Sequence, residues 1–316
     1  MQKTLSLDAL SLLSTLALAA ENESTVVSSI EFVPLPGTRR LEGMPTRPLP
    51  TYAPELAAFH EAFGRELRDA VDFLPIRPHM RVLDVGCGDG FYTKLLAERL
   101  GSQGSVIGLD ENRGYLELAR ERFLDQHLSC RVEFIQGTLE QRPIERESCD
   151  FAWCAQSLFS FPDPVMALKQ MRAALRPGGL IALLENDTLH QLLLPWPGHL
   201  EVAVKKAELA ALEHESPRSE KYYVGRRLPE VLAAAGFEPI SFSTQSIDRH
   251  APCDESLLEF LKHFLSRLSD RVRPFLDQAA LRELRDLINP KSSTCLFVKP
   301  FFTLSWFNML AWGRKG

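Results

Sequence analysis

The chain has 316 residues, 45% of them hydrophobic and 24% charged, an ordinary balance for a soluble globular protein with a sizeable core. Lysine and arginine number 36 against 41 aspartates and glutamates, a formal charge of −5, which argues against a nucleic-acid partner because phosphate binding needs a basic field. The six cysteines, Cys87, Cys130, Cys149, Cys154, Cys253 and Cys295, include no CxxC pair, so no metal site and no disulfide framework is expected.

After Lys3 an apolar stretch runs over residues 5–20 and ends in Ala17-Leu18-Ala19-Ala20, a slight likeness to a secretory signal. Asp8 and four hydroxyl residues interrupt it, while Leu5, Leu12, Leu13 and Leu16 suit one face of a helix. A short helix is therefore favoured over a signal, and the protein reads as cytoplasmic, with no stretch approaching the ~18 apolar residues of a membrane span. Residues 25–33 suit a strand. Pro34, Pro36, Pro45, Pro48 and Pro50 then exclude helix. Residues 1–50 form an N-terminal arm through which a homodimer could assemble.

Over residues 51–78 the pattern becomes helical. Leu56, Phe59, Phe63, Leu67 and Val71 recur at three- and four-residue spacing, Pro54 stands just inside the start, and Pro75 and Pro78 end the run. From 79 to 185 strands at 81–85, 105–109, 131–135, 149–154 and 180–185 alternate with helices at about 91–100, 112–125 and 164–175. Arg176-Pro177-Gly178-Gly179 reads as a turn with positive φ at glycine. Such alternation predicts parallel βαβ units. The fold class is α/β: a doubly wound, mostly parallel seven-stranded sheet with helices on both faces, plus the N-terminal arm and helical cap insertions.

Regularity breaks after Glu185. Residues 186–235 read as a cap insertion over a substrate, Pro- and His-containing and partly helical. Residues 236–316 complete the sheet, with a strand near 237–243, one or two amphipathic helices within 254–289, and a final apolar run over 301–312.

The chemistry begins at Val82-Leu83-Asp84-Val85-Gly86-Cys87-Gly88-Asp89-Gly90, at the end of the first core strand. Glycines there let a ligand approach the backbone closely, at the strand ends where doubly wound sheets bind ligands. Twenty residues after Gly90 the second strand ends in Asp110, a carboxylate able to accept hydrogen bonds from a ribose diol or to cap the next helix. The spacing is GxGxG, not the GxGxxG of dinucleotide sites. Cys87 between the glycines reads as packing, with no histidine nearby in sequence to make it a nucleophile.

The glycine turn resembles the first motif of the class I, Rossmann-like S-adenosylmethionine-dependent methyltransferases. Further likenesses follow in order: Gln136-Gly137-Thr138-Leu139-Glu140, then Cys149 to Leu158, then Ser160-Phe161-Pro162-Asp163-Pro164, then Leu175-Arg176-Pro177-Gly178-Gly179-Leu180. The resemblance spans about 79–185 and the last strand, and implies S-adenosylmethionine as cofactor. It implies that Asp84, Gly86, Cys87, Gly88 and Gly90 cradle the methionine portion and that Asp110 holds the ribose, with Glu111 beside it. Leu139 would pack on adenine, with Thr138 near its polar edge where many relatives carry Asp. Gln156 and Ser157 would face the methionine amine and the substrate. In style the chain is similar to the small-molecule, quinone-biosynthesis type.

A hydroxyl or carbon nucleophile needs a base. Candidates begin at Glu185-Asn186-Asp187 and continue with His190 and His199 in the cap; His60 on the helix of 51–78 is another. Tyr222-Tyr223 beside Arg226-Arg227 suits a pocket wall gripping an aromatic or acidic substrate, and Trp196 is a lid residue or local packing. The catalytic candidates are His190, Tyr223 and His60. The expected function is methyl transfer to O, N or C of a small hydrophobic or aromatic acceptor, in a pocket roofed by residues 186–228, the N-terminal helix and the helices of 254–289, where Leu192 to Leu194, Trp196, Phe260 and Phe264 supply apolar surface. A protein or RNA methyltransferase, or a silent S-adenosylmethionine-binding partner subunit, is the alternative.

Overall fold

A computed structural model describes residues 49–316 apart from 125, 127 and 143. The N-terminal arm, with its helix, strand and dimer readings, lies outside the described residues.

Helix α1 (Ala53–Asp72) forms where the three- and four-residue spacing places Phe59, Phe63, Leu67 and Val71 on one buried face. Then β1 (Arg81–Val85), α2 (Phe91–Glu98), β2 (Ser105–Asp110), α3 (Arg113–Phe123), β3 (Arg131–Gln136), β4 (Cys149–Ala155), α4 (Pro164–Ala174) and β5 (Leu175–Glu185) alternate as expected. The five strands pair in parallel. The remainder comprises β6 (Leu192–Leu193), α5 (Gly198–Glu215), a 3-10 stretch over Ser219–Arg227, α6 (Leu228–Ala234), β7 (Phe237–His250), α7 (Glu255–Val272), α8 (Gln278–Ile288) and β8 (Thr303–Lys315).

Strand order is β3-β2-β1-β4-β5-β8, with β7 on the far side of β8 and the two-residue β6 opposite Trp306 and Ser305. β8 runs antiparallel to each neighbour. The chain winds outward from β1 to β3, then returns to lay β4 on the other side of β1. Connections therefore diverge at the carboxyl ends of β1 and β4, leaving a crevice there.

The two faces of the sheet bury alternate residues. Val82, Val106, Phe151 and Trp153 join α1, α2 and α7 in one core. Leu83, Val85, Ile107 and Ala152 join α4 and α6 in the other. On the first face α1 and α7 lie together, and Arg249 of β7 holds Glu66 of α1 through both guanidinium amino groups at 2.9 Å each.

Two strand boundaries differ markedly from the sequence reading. β5 starts at Leu175, because residue 149 already pairs with 175 before a register shift brings Phe151 opposite Leu180. The glycine-containing segment is an irregularity within the strand, and Gly178 does take φ 75°. β7 runs on to His250, although Ile247 is its sole buried residue beyond Phe237; continuous pairing with β8 holds it. Residues 254–289 are two helices, each started by an aspartate cap, Asp254 and Asp277. No helix among the described residues is long and apolar enough to cross a membrane.

Candidate active site

A cavity of about 350 Å³ opens in the crevice, floored by the ends of β1, β2, β4 and β5 and roofed by α1 and α7. The turn from β1 into α2 carries three glycines with left-handed backbones, φ 72°, 52° and 77° at Gly86, Gly88 and Gly90. Each is glycine for a different reason. A Cβ on Gly86 would stand 2.5 Å from Ser157 Oγ, and one on Gly90 3.0 Å from the Ala119 Cβ of α3. A Cβ on Gly88 would meet nothing within 4 Å, so that edge of the turn is open.

Asp110 is fixed at the cavity wall by two main-chain donors, Gly88 N–H at 2.9 Å and Asn112 N–H at 2.8 Å. Burial pushes its carboxyl up, and those two donors pull it back. The cap of α3 is Asn112, which accepts from Tyr115 N–H, so Asp110 is free of that duty. Asp84 lies beneath the turn rather than on the wall. It is buried, accepts from Thr93 Oγ1 at 2.6 Å, and is pushed up to about 7 by burial against that hydrogen bond.

Gln156 and Ser157 leave β4 at the opposite wall. Ser157 Oγ donates toward Gly86 O at 3.2 Å and Ala155 O at 3.0 Å. Behind them Glu185, at the end of β5, accepts the N–H groups of Ser157 and Leu158 at 3.0 and 2.6 Å. Burial nevertheless raises its carboxyl to about 8. Gly86, Cys87, Gly88, Asp110, Gln156 and Ser157 thus share one cavity. Glu111, Thr138 and Leu139 do not line it; Leu139 is packed in the second core and Thr138 Oγ1 accepts from Gln141 N–H. Gly90 lies behind it, against α3.

The three catalytic candidates separate. His60 of α1 lines the cavity, is 8% exposed, and stacks on Phe91 with ring centroids 4.0 Å apart. Neither ring nitrogen has a hydrogen-bond partner among the described residues, the nearest carboxylate oxygen, on Asp89, being 3.8 Å away. Burial lowers the pKa of His60, against the opposing pull of Asp89. Asp89, which burial alone would raise, is held at about 2 by the adjoining His60 ring and the Arg122 guanidinium.

His190 lies outside the cavity with a side chain 65% exposed, between Asp187 and Arg226. Tyr223 lies outside as well, its ring under the Arg226 guanidinium at 5.5 Å, while the adjacent Tyr222 lines the cavity. Arg226 is taken up by Asp187 and Arg227 by Glu230. Trp196 is packed into the first core.

The sequence reading put Phe260 and Phe264 in the roof of a pocket, as found, but did not bring Phe59 and Trp306 to them. Phe59, Phe260 and Trp306, from α1, α7 and β8, meet with centroids 5.2–5.6 Å apart, and Phe264 adds a fourth ring. Arg267 and Arg271 follow one turn apart on α7, held by Glu55 and by Glu208 with Glu215. The available signal was the helical spacing of Phe260, Phe264, Arg267 and Arg271, which puts rings and guanidinium groups on one face.

The methyltransferase-domain family matches residues 76–236. A demethylmenaquinone methyltransferase of Lactobacillus johnsonii is 30% identical over 165 residues, 50% of this chain and 68% of that protein. That of Staphylococcus aureus is 34% identical over 112 residues, 35% of this chain and 45% of that one, and that of Bacillus cereus 32% over 128 residues, 40% and 52%. The chain thus spans about half to two thirds of the curated relatives it matches. A solved phosphoethanolamine N-methyltransferase 2 of Haemonchus contortus, in complex with phosphomonomethylethanolamine and S-adenosylhomocysteine, is 18% identical with a TM-score of 0.48, covering 84% of this chain and 58% of that one.

Proposed function

The chain belongs to the S-adenosylmethionine-dependent methyltransferase family, and on that premise we propose that it transfers a methyl group to a small, planar, largely apolar acceptor of phenol or quinol type. Three features fit the cofactor: the open edge at Gly88, the Asp110 carboxylate pinned at the wall, and a buried Gln156 carboxamide oxygen with no partner among the described residues. Asp110 would accept from the ribose hydroxyls. The Gly86–Gly88 backbone and the Gln156 and Ser157 side chains would hold the methionine portion, with Asp84 supporting the turn from below. Thr138, Leu139 and Glu111 are assigned to the adenine end through the motif resemblance. S-adenosylmethionine supplies an electrophilic sulfonium methyl.

The protein's own contribution is alignment, exclusion of water and management of one proton. The rings of Phe59, Phe260, Phe264 and Trp306 favour a flat apolar acceptor. Holding a nucleophile in line can contribute about 7–11 kcal/mol to lowering the barrier. His60 takes the acceptor's proton. The observation that carries this assignment is its buried imidazole at the cavity wall, with neither nitrogen partnered among the described residues. His190 and Tyr223 lack access to the cavity, so the base role goes to His60.

The test is calorimetric titration with S-adenosylhomocysteine, followed by a screen of phenols and hydroquinones. Micromolar binding that Asp110→Ala abolishes supports the reading; absence of binding by folded wild-type protein defeats it.

A further inference from the structure

At the end of β4, Gln156 takes a left-handed backbone, φ 50°, which is uncommon for any residue but glycine. Its carboxamide begins a run of side-chain hydrogen bonds that leaves the cavity wall and returns to it. Gln156 Nε2 donates to Asn186 Oδ1 at 3.1 Å. Asn186 Nδ2 donates twice, to the Phe307 carbonyl and to Asn308 Oδ1, each at 2.8 Å. Asn308 Oδ1 also accepts the indole Nε1–H of Trp306 at 3.0 Å.

Two members of this run cannot change role. A main-chain carbonyl only accepts, and an indole nitrogen only donates. The Phe307 carbonyl therefore demands the amide nitrogen of Asn186, which turns the Asn186 oxygen toward Gln156. Gln156 must answer with its own nitrogen, and its oxygen is left over. From the other end, Trp306 demands the oxygen of Asn308. The polarity of all three amides is thus determined by fixed partners. The left-over atom, Gln156 Oε1, is buried and unpartnered on a residue that lines the cavity. An acceptor desolvated without a donor is costly, so a ligand N–H is favoured there.

We infer that Asn308, fully buried and outside the cavity lining, is a positioning residue. Together with the Phe307 carbonyl it holds the Asn186 amide nitrogen, and so aims the Gln156 carboxamide oxygen at the amino group of the cofactor's amino-acid end. Through the same oxygen atom it fixes the Trp306 indole in the acceptor wall. One buried side chain therefore sets both halves of the site, an inference that rests on reading the cavity as the methyl-transfer site.

The experiment compares two ligands by calorimetry: S-adenosylhomocysteine, which has the amino-acid end, and 5′-methylthioadenosine, which lacks it. Asn308→Leu is expected to weaken the first roughly threefold to tenfold and the second by less than about twofold. Asn308→Asp, which keeps the accepting oxygen, is expected to restore binding. Gln156→Leu should show the same selectivity, and the double variant should lose no more than Gln156→Leu alone. If Asn308→Leu does not fold, Asn186→Leu cuts the run one step closer to Gln156 and must behave alike. Equal losses for both ligands, or additive losses in the double variant, overturn the inference. Wild-type binding with unchanged variants defeats the inference alone; failure of the wild type to bind S-adenosylhomocysteine defeats the site reading as well.

Discussion

Glu55 of α1 and Arg267 of α7 form a two-point ion pair across the roof of the cavity, Nε to Oε2 at 2.5 Å and Nη2 to Oε1 at 2.6 Å. Helices far apart in sequence are thereby tied at the place where both line the site. The paired geometry orients as well as attracts, because two parallel N–H donors meet two carboxylate oxygens.

Removing one partner leaves the other charge half-buried. Glu55→Ala is expected to lower stability by about 1 kcal/mol, a modest figure because the Arg267 side chain is 36% exposed and screened. In urea unfolding, the separate costs of Glu55→Ala and Arg267→Ala should add up to more than the cost of the double variant. Simple additivity would show that the pair does not couple the two helices.

The buried carboxyls make stability fall with rising pH. Glu185 moves from an ordinary 4.5 to about 8 in the fold, chiefly through burial. Between those values the folded chain keeps a proton that the unfolded chain releases. The stabilisation is complete below about 4.5 and is lost as pH climbs through about 8. Glu185→Gln keeps an acceptor for Ser157 and Leu158 and removes the titration. Unfolding free energies from urea titration at pH 5 and pH 8 should differ less in the variant than in wild type, by on the order of a few kcal/mol. Parallel pH profiles for the two proteins would remove Glu185 from this account.

His60 should govern turnover and leave cofactor affinity nearly unchanged. With its pKa lowered by burial, it remains a base at pH 6.5, and activity should fall only at more acidic pH. His60→Asn is expected to cut kcat by about 10²–10⁴-fold with an acceptor that ionises on transfer. Near-normal turnover by the variant would move the proton elsewhere.

The local half of this molecule was readable from its residues. Val82 to Val85 form a buried run ended by glycine, Asp110 sits at the tip of β2, and Gly178 takes the positive φ expected of its turn. The joining of Trp306 and Phe59 to the rings of α7 was not readable in this way. Trp306 reaches Phe59 and Phe260 because β8 pairs antiparallel with β5, a contact no local pattern encodes. No local pattern separated the histidines either. His190 is held away from the cavity by Arg226, which arrives from beyond α5, whereas His60 is carried in by the packing of α1 on α2 and α7. Likewise Tyr222 and Tyr223 differ only in which way the 3-10 stretch turns them.

Gly86 and Gly88 provide the sharpest test of the cofactor cradle, because they differ in what surrounds them. Alanine at 86 must take φ 72° and place its Cβ 2.6 Å from Ser157 Cβ. Ser157 has little freedom to yield, since Glu185 holds its N–H and the Gly86 carbonyl faces its hydroxyl. Gly86→Ala should therefore combine backbone strain with a clash, costing more than about 2 kcal/mol in urea unfolding. Alanine at 88 meets no neighbour within 4 Å, so only the left-handed backbone, about 1–2 kcal/mol, opposes it. That variant should fold yet bind S-adenosylhomocysteine at least about tenfold more weakly, because its methyl stands on the open edge beside Asp110. A folded Gly88→Ala protein with wild-type affinity would mean that the open edge of the turn is not where the ligand lies.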